Sequence, residues 1–360
     1  RLESQGMKPS SLADKNTLLR RVCLDLTGLP PTREQIRDFL SDDSPEAYEK
    51  AVNSLLNSPH YGERWGRIWL DQARYADSNG YSIDAPRQIW KYRDWAIAAI
   101  NSDLPYNRFV EQQLAGDEVP DRSEASLVAT GFLRLGTWND EPNDPQEYKY
   151  DRLEDLIHAT STAFLGLTIK CARCHDHKLD PISQREYYGL WAVFAGVKRG
   201  DRVLPNNEAE KVYGVVAESP AVIHNLARGN PEEPGEVVPP GVIECLSHTE
   251  LPALQGPLDT DSQRRIAIAN WITHPAHPLV RRVIVNRLWH HHFGCGLVDT
   301  PSDFGLGGGQ PSHPELLDWL ADELLRQNWS LKSVQRTICL SATYRQQSTV
   351  TVRANATQGI

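Results

Sequence analysis

The sequence predicts a mainly α fold: a helical bundle, a small irregular region with a little β structure, and a second, smaller helical domain. Three observations carry that expectation. Apolar residues recur at helical spacing through the first half of the chain and again after about residue 262. Several of those runs open on capping residues that fix where a helix begins. Between them, from about 204 to 261, prolines and glycines accumulate, as at Pro231, Pro234, Gly235, Pro239, Pro240 and Gly241.

Taken in order, Thr32 with Gln35 forms a capping box ahead of Ile36, Phe39 and Leu40. Ser44 and Pro45 are expected to open a helix with Tyr48, Val52, Leu55 and Leu56 on its apolar face, closed before Pro59. Trp65, Ile68, Trp69 and Gln72 continue at helical spacing, and Tyr92, Trp95, Ala96 and Ile100 mark the next helix. The tryptophans at these positions read as core packing rather than as a cofactor box. Asp144, Pro145 and Glu147 start a long helix whose buried side would carry Leu153, Leu156, Ile157, Phe164 and Leu167 and deliver the chain to Cys171. In the Pro/Gly-rich linker, Val215, Val216, Val222 and Ile223 hint at brief strands. Helical period resumes with Ile266, Ala269, Asn270 and Ile272, then from Val280 to Phe293. A glycine-rich loop, Gly305 to Gly309, precedes a last helical pair starting at His313 and Ser330.

The 360 residues suffice for two folded units, and the 40% hydrophobic and 24% charged fractions are those of an ordinary globular chain. A net charge of −9 repels phosphate backbones, so nucleic acid is excluded as a partner. No stretch has membrane-span length; the greasiest, Ala163 to Ile169, ends at Lys170. The chain begins at Arg1 without a leader-like pattern and is expected to be an internal piece of a longer polypeptide. Six cysteines are too few for a disulfide scaffold, and only Cys171 and Cys174 are closely spaced.

That pair belongs to Cys171-Ala172-Arg173-Cys174-His175, the attachment pattern of a c-type haem. Two cysteines on adjoining turns can present their sulfurs to the two porphyrin vinyl groups as thioethers, and the adjacent histidine supplies a neutral imidazole as proximal iron ligand. The expectation is covalent haem c on Cys171 and Cys174, with His175 on the iron. Two rivals use the same residues. A thioredoxin-like pair would need a preceding strand, whereas the segment before Cys171 reads as helix. A structural zinc site would draw on Cys171, Cys174, His175 and His177, completed by His290, His291, His292 or Cys295.

Met7 is the only methionine and lies near the start, which argues against His/Met ligation. The sixth position is therefore a second histidine, or open. Distant candidates are His60, His158, His224, His248, His274, His277, His290, His291, His292 and His313, with the His290 to His292 run preferred. Elsewhere, Asp71, Arg74, Tyr75, Asp77 and Asn79 form a polar cluster suited to acid/base work or to plain ion pairs and caps. Asp299, Asp303 and the loop through Gly309 are suited to holding an ion or shaping a pocket, but a flexible connector is the preferred reading, and the loop lacks the Lys-Ser/Thr of a phosphate cradle.

Several ordered motifs resemble a known pair of domains. Arg21-Val-Cys-Leu-Asp-Leu-Thr-Gly-Leu-Pro-Pro31, Tyr61-Gly-Glu-Arg-Trp65, Trp69-Leu-Asp-Gln-Ala-Arg-Tyr-Ala-Asp77, Tyr106-Asn-Arg-Phe109, Gln113-Leu-Ala-Gly-Asp117 and Cys171-Ala-Arg-Cys-His-Asp-His-Lys178 with Asp180-Pro181 resemble the PSCyt-type domain of planctomycete cytochrome C proteins. Asn286-Arg287-Leu-Trp289, Phe293-Gly-Cys-Gly-Leu-Val298, Asp303-Phe-Gly305, Pro311-Ser-His-Pro-Glu-Leu-Leu-Asp-Trp-Leu320 and Ser341-Ala-Thr-Tyr344 are similar to the PSD-type domain that follows it. The expected organisation is a PSCyt-type domain over 1–203, a linker over 204–261 and a truncated PSD-type domain over 262–360. The resemblance implies an exported, periplasmic haem protein, working with a redox partner protein or an upstream cytochrome c domain, and linked to polysaccharide breakdown. Two other functions are open at this stage: a haem-containing enzyme acting directly on a complex glycan, and a zinc-stapled structural or carbohydrate-binding scaffold.

Overall fold

The computed structural model describes residues 6, 8–139, 141–204 and 207–348, the side chains of 145, 146 and 207–210 excepted. Met7 lies outside the described residues. The fold is mainly helical, with thirteen α-helices and two small antiparallel sheets among the described residues. The chain divides into two compact units, Arg1–Tyr61 with Gln335–Ile360, and Gly62–Val334.

In the first unit, α1 (Lys15–Thr27), α2 (Arg33–Ser41) and α3 (Ala47–Leu56) pack around Leu19, Val22, Leu26 and Val52. The Thr32/Gln35 capping box forms as expected. Ser44 does not cap α3: the helix begins at Ala47 behind Glu46, which makes no side-chain cap bond. The Ser44 amide is taken instead by Asp42 Oδ1 at 2.9 Å, so the first turn starts later than the Ser-Pro signal implies. The segment after Gln335 joins this unit through particular bonds. Tyr344 is buried and donates to Asp25 Oδ2 at 2.5 Å, while Arg21 donates to the carbonyls of Tyr344 and Gln346.

The second unit takes α4 (Pro59–Gln72) from Gly62 on, α5 (Trp90–Asn101), α6 (Tyr106–Ala115), α7 (Glu124–Ala129), α8 (Pro145–Thr160) and α9 (Gln184–Phe194). Its core is aromatic. The Trp69 ring lies 5.0 Å from Phe109 and 5.5 Å from Phe164, and its indole N–H is satisfied by Tyr92 and Gln113. Trp65, Trp69 and Trp95 are thus core residues, whereas Trp90, at the start of α5, is exposed.

Where α8 ends differs from the expectation. The helix passes into a π-helical turn, Ser161–Leu165, and stops at Gly166, whose φ of 61° is left-handed. Three local causes combine. Thr160 and Thr162 bond back to the carbonyls of Leu156 and His158, which bends a helix. The Arg287 guanidinium takes the Thr162 and Ala163 carbonyls, satisfying acceptors the helix end leaves open. A β-carbon at 166 would meet Val283 at 2.8 Å, so only glycine fits. The helix therefore does not deliver the chain to Cys171.

The irregular region contains more sheet than Val215 and Val222 suggest. β1 (Val197–Leu204) and β2 (Asn207–Ala217) form a hairpin in which Val197 pairs with Ala217, and β1 starts ahead of residue 204. β3 (His224–Leu226) pairs with β4 (Pro234–Val237), beginning just after Val222 and Ile223. Then follow α10 (Asp261–Thr273), α11 (Val280–Phe293), α12 (Pro314–Arg326) and α13 (Leu331–Leu340). The last two follow His313 and Ser330, as their start signals predict.

Candidate functional site

Cys171 sits on a separate 3-10 turn, Lys170–Arg173, which a short irregular segment connects to Gly166. Cys174 caps that turn. Both thiols are exposed and unbridged.

The turn is braced from three sides. Arg173, between the two cysteines, ion-pairs with Asp151 and Glu154 of α8, each at 3.3 Å, and Glu154 also holds Lys170 at 3.3 Å. Burial opposes the Arg173 charge, but the two carboxylates more than offset it and raise its pKa. The Arg173 carbonyl accepts from Tyr188 Oη at 2.9 Å and Gln184 Nε2 at 2.8 Å, both on α9. Gln184 Nε2 also donates to the Leu226 carbonyl, so α9 ties the turn to the β3–β4 hairpin. Under Cys174, Gly229 leaves no room: a β-carbon there would lie 2.9 Å from the Cys174 sulfur.

His175 follows directly and is exposed. Its Nδ1 lies 2.6 Å from the Asp176 carbonyl oxygen, which can only accept. Nδ1 therefore carries the proton, and Nε2 presents its lone pair to solvent when the ring is neutral. His177 has the opposite tautomer. Its Nδ1 accepts from the amide of Asp180 at 2.9 Å, which puts the proton on Nε2. The approach of His177 Nδ1 to Asp180 Oδ2 at 3.3 Å is then no ion pair, because the nitrogen facing the carboxylate has no proton to give.

Asp180 is buried and anchors the glycine-rich loop, its Oδ1 accepting from the Leu306 amide at 2.6 Å. A β-carbon at Gly305 would come within 2.5 Å of that carboxylate. The loop is also closed on itself: Asp303 Oδ1 accepts from Gly305 N, and Thr300 Oγ1 accepts from Gly309 N. It is a pinned element, not a free connector. Burial, then the carboxylates of Glu186 and Asp180, hold the Cys245 thiol above the usual range.

The residues fit the attachment of a c-type haem. Two exposed thiols on one braced turn would form the thioethers, and His175, its Nδ1 already committed, would offer Nε2 to iron. They fit zinc less well. His177 has its Nδ1 lone pair engaged, and among the described residues no group of three or more His, Cys, Asp or Glu is placed to hold a metal ion.

The other candidates are scattered through the fold. On α11, His292 is buried with its ring 5.5 Å from Trp65, and burial pushes it down to about 3. His291 packs on the same ring at 5.8 Å and is pushed down by burial to about 4; His290 lies 5.4 Å from it. His158 on α8 is lowered by burial, then by the nearby Lys170. His224, His248, His274 and His313 each bond to local backbone or hydroxyl groups. In the cluster from Asp71, Arg74 reaches Asp155 and the Leu135 carbonyl, Tyr75 donates to Asp77, and Asn79 is held through its backbone by Ala85 and Trp138. Sequence reasoning missed Glu154, Gln184, Tyr188 and Gly229. Only the left-handed glycine has a local signal, and its role depends on a sulfur far away in sequence.

A mainly helical chain carrying an exposed, braced Cys-x-x-Cys-His turn is the class of protein that fold and site define. The chain belongs to the PSCyt2 family, described as a protein of unknown function (DUF1549), whose model matches residues 1–199. A second model, PSD1, also described as a protein of unknown function (DUF1553), matches residues 264–359. Comparison with curated proteins and with solved structures gave no match.

Proposed function

We propose that this protein is an exported c-type haem protein that transfers electrons, with haem joined to Cys171 and Cys174 and His175 as its proximal ligand. The observation that carries the reading is the 2.6 Å contact of His175 Nδ1 with the Asp176 carbonyl, one residue past two exposed thiols. Bound haem would supply one-electron exchange at its iron. The chain's own residues do the positioning. The Asp176 carbonyl fixes the tautomer of His175 and makes its Nε2 more basic. The ion pairs of Arg173 and the bonds from Tyr188 and Gln184 hold the Cys171 to Cys174 turn against α8 and α9. Thioether attachment suits an exported location, since a covalently held haem is not lost by dissociation. The electron partner is a separate redox protein or a cytochrome domain on the same polypeptide, and the family resemblance ties the work to polysaccharide breakdown.

The test is expression with a c-type haem maturation system. A Soret band, a thioether-type pyridine haemochrome and one added porphyrin mass are expected, and Cys171→Ala with Cys174→Ala abolishes all three. Free thiols with no porphyrin mass overturn the proposal. Colourless protein with stoichiometric zinc turns the reading to a scaffold. Carbon monoxide binding by the reduced haem protein would turn it from electron transfer to catalysis on a glycan.

A further inference from the structure

Beside the hairpin, α8 and the loop after Arg134, a group of four arginines shares a single acidic partner. Three guanidinium carbons surround the half-buried Trp138 ring, with Arg152 at 4.7 Å, Arg134 at 4.8 Å and Arg199 at 5.8 Å from its centroid. Arg74 joins them through Asp155, which it contacts at 3.2 Å and which lies 3.7 Å from Arg199. Asp155 is the one carboxylate in ion-pair contact with these four among the described residues.

Burial makes this surplus of charge costly. Arg134 is only 6% exposed and Arg199 only 7%. Neither Nε nor Nη1 of Arg134 has a hydrogen-bond partner, nor does Nη1 of Arg199, Nε of Arg152, or Nε and Nη1 of Arg74. Rings recover part of the loss: Arg134 also stacks on Tyr213 at 4.7 Å. A ring face does not replace the hydrogen bonds that a buried guanidinium offers. Burial, then the neighbouring arginines, push Arg134 down to about 10 and Arg199 down to about 9, so both remain cationic at neutral pH.

Arg152 and Arg199 also line a cavity of about 250 Å³. Lys149 and Lys198 share its wall, and its acid, Glu218, is already paired with Lys198 at 2.5 Å. On a chain of net charge −9, a cavity walled by Arg152, Arg199, Lys149 and Lys198, with its acid already paired, is not general surface charge.

We propose that the arginines around Trp138 form a binding site for a tetrahedral oxyanion, sulfate or phosphate, free or as an ester on a small sugar. Such a ligand offers several acceptor oxygens and two negative charges, which match the open N–H groups of Arg134, Arg152 and Arg199. The site is independent of the haem reading and needs no cofactor.

The probes are sodium sulfate and sodium phosphate, titrated by calorimetry into the full chain against sodium chloride at equal ionic strength. Saturable binding and a rise in Tm absent in chloride are expected. Arg134→Gln and Arg152→Gln should each weaken binding by about tenfold or more, since each removes charge-assisted hydrogen bonds. Circular dichroism checks the fold of both, and the half-exposed Arg152 provides a tolerant second position should the change at Arg134 unfold the chain. Glucose 6-sulfate and glucose separate the sources. Equal affinity for inorganic sulfate and glucose 6-sulfate assigns the site to a free ion, whereas tighter binding of the ester, with none of glucose, assigns it to a pendant group. No saturable binding of any anion, or undiminished binding in both folded variants, overturns the proposal.

Discussion

Gly229 and Cys174 touch across more than fifty residues of chain: a β-carbon at 229 would sit 2.9 Å from the Cys174 sulfur and 3.1 Å from Arg173 Cγ. The glycine also has a φ of 75°. Gly256 offers a control, because its φ is 85° and nothing would lie within 4 Å of its β-carbon. Gly256→Ala should therefore cost only the backbone strain, about 1 kcal/mol. Gly229→Ala should cost at least about 1 kcal/mol more, from overpacking against the sulfur. Urea denaturation measures both, and in protein produced without haem maturation, where the thiols are free, iodoacetamide labelling should find Cys174 more reactive in the 229 variant alone. Equal losses in the two variants would mean that the sulfur contact carries no weight.

The bond from the Leu306 amide to Asp180 Oδ1, at 2.6 Å, predicts how the glycine-rich loop is held. Asp180→Ala removes the acceptor and should speed hydrogen exchange at Leu306 by about tenfold or more, the worth of a bond to a charged group. Exchange at Gly309, whose partner is Thr300, should change less. An unchanged Leu306 rate would show that the loop is pinned by its own bonds and not by Asp180.

These contacts explain which parts of the molecule were legible in the sequence. The Thr32 box, the helices of Trp65 and Trp95, and the starts at His313 and Ser330 rest on signals within a few residues, so periodicity and caps found them. The end of α8 was not legible, because Phe164 and Leu167 keep helical spacing while the break depends on Arg287 reaching back to two carbonyls. β1 was hidden by its composition: Lys198, Arg199, Asp201 and Arg202 break the apolar alternation of a strand, though Arg199 is buried beside Trp138. The thiols and His175 stood out at once, whereas their bracing by Glu154, Gln184 and Gly229 is tertiary. The Trp138 arginines, spread from 74 to 199, share no local pattern at all.

Arg265 is a fully buried cation held by Asp117 at 2.6 Å and Asp261 at 2.7 Å, both themselves buried. Removing one member strands the others' charge in a low-dielectric core. Arg265→Met should cost about 3–5 kcal/mol, measured by urea denaturation. Replacing all three by apolar residues, as in Asp117→Leu, Asp261→Leu, Arg265→Met, should recover most of that loss, because desolvation of the intact cluster offsets much of its attraction. A triple variant no more stable than the single one would show that the cluster makes a large net contribution.

His277 predicts an acid-sensitive stability. The ring is 1% exposed and stands edge-on to Trp271 at 4.6 Å, with Nδ1 accepting from the amides of Leu279 and Val280. Burial, then the charges of His274, His248 and Arg281, push it down to about 3. An unfolded histidine titrates near about 6.5, so the unfolded chain binds this proton first as pH falls. The stabilising difference is complete above about pH 6.5 and is lost on acidification at up to about 1.4 kcal/mol per pH unit. Between pH 6.5 and 4.5 this residue alone should remove about 2.5 kcal/mol. His277→Asn keeps an acceptor near the position of Nδ1 but cannot take the proton, so its stability should fall less steeply over the same range. Urea denaturation at half-unit pH steps gives both slopes, and parallel curves would mean that the native ring takes up its proton as readily as the unfolded one.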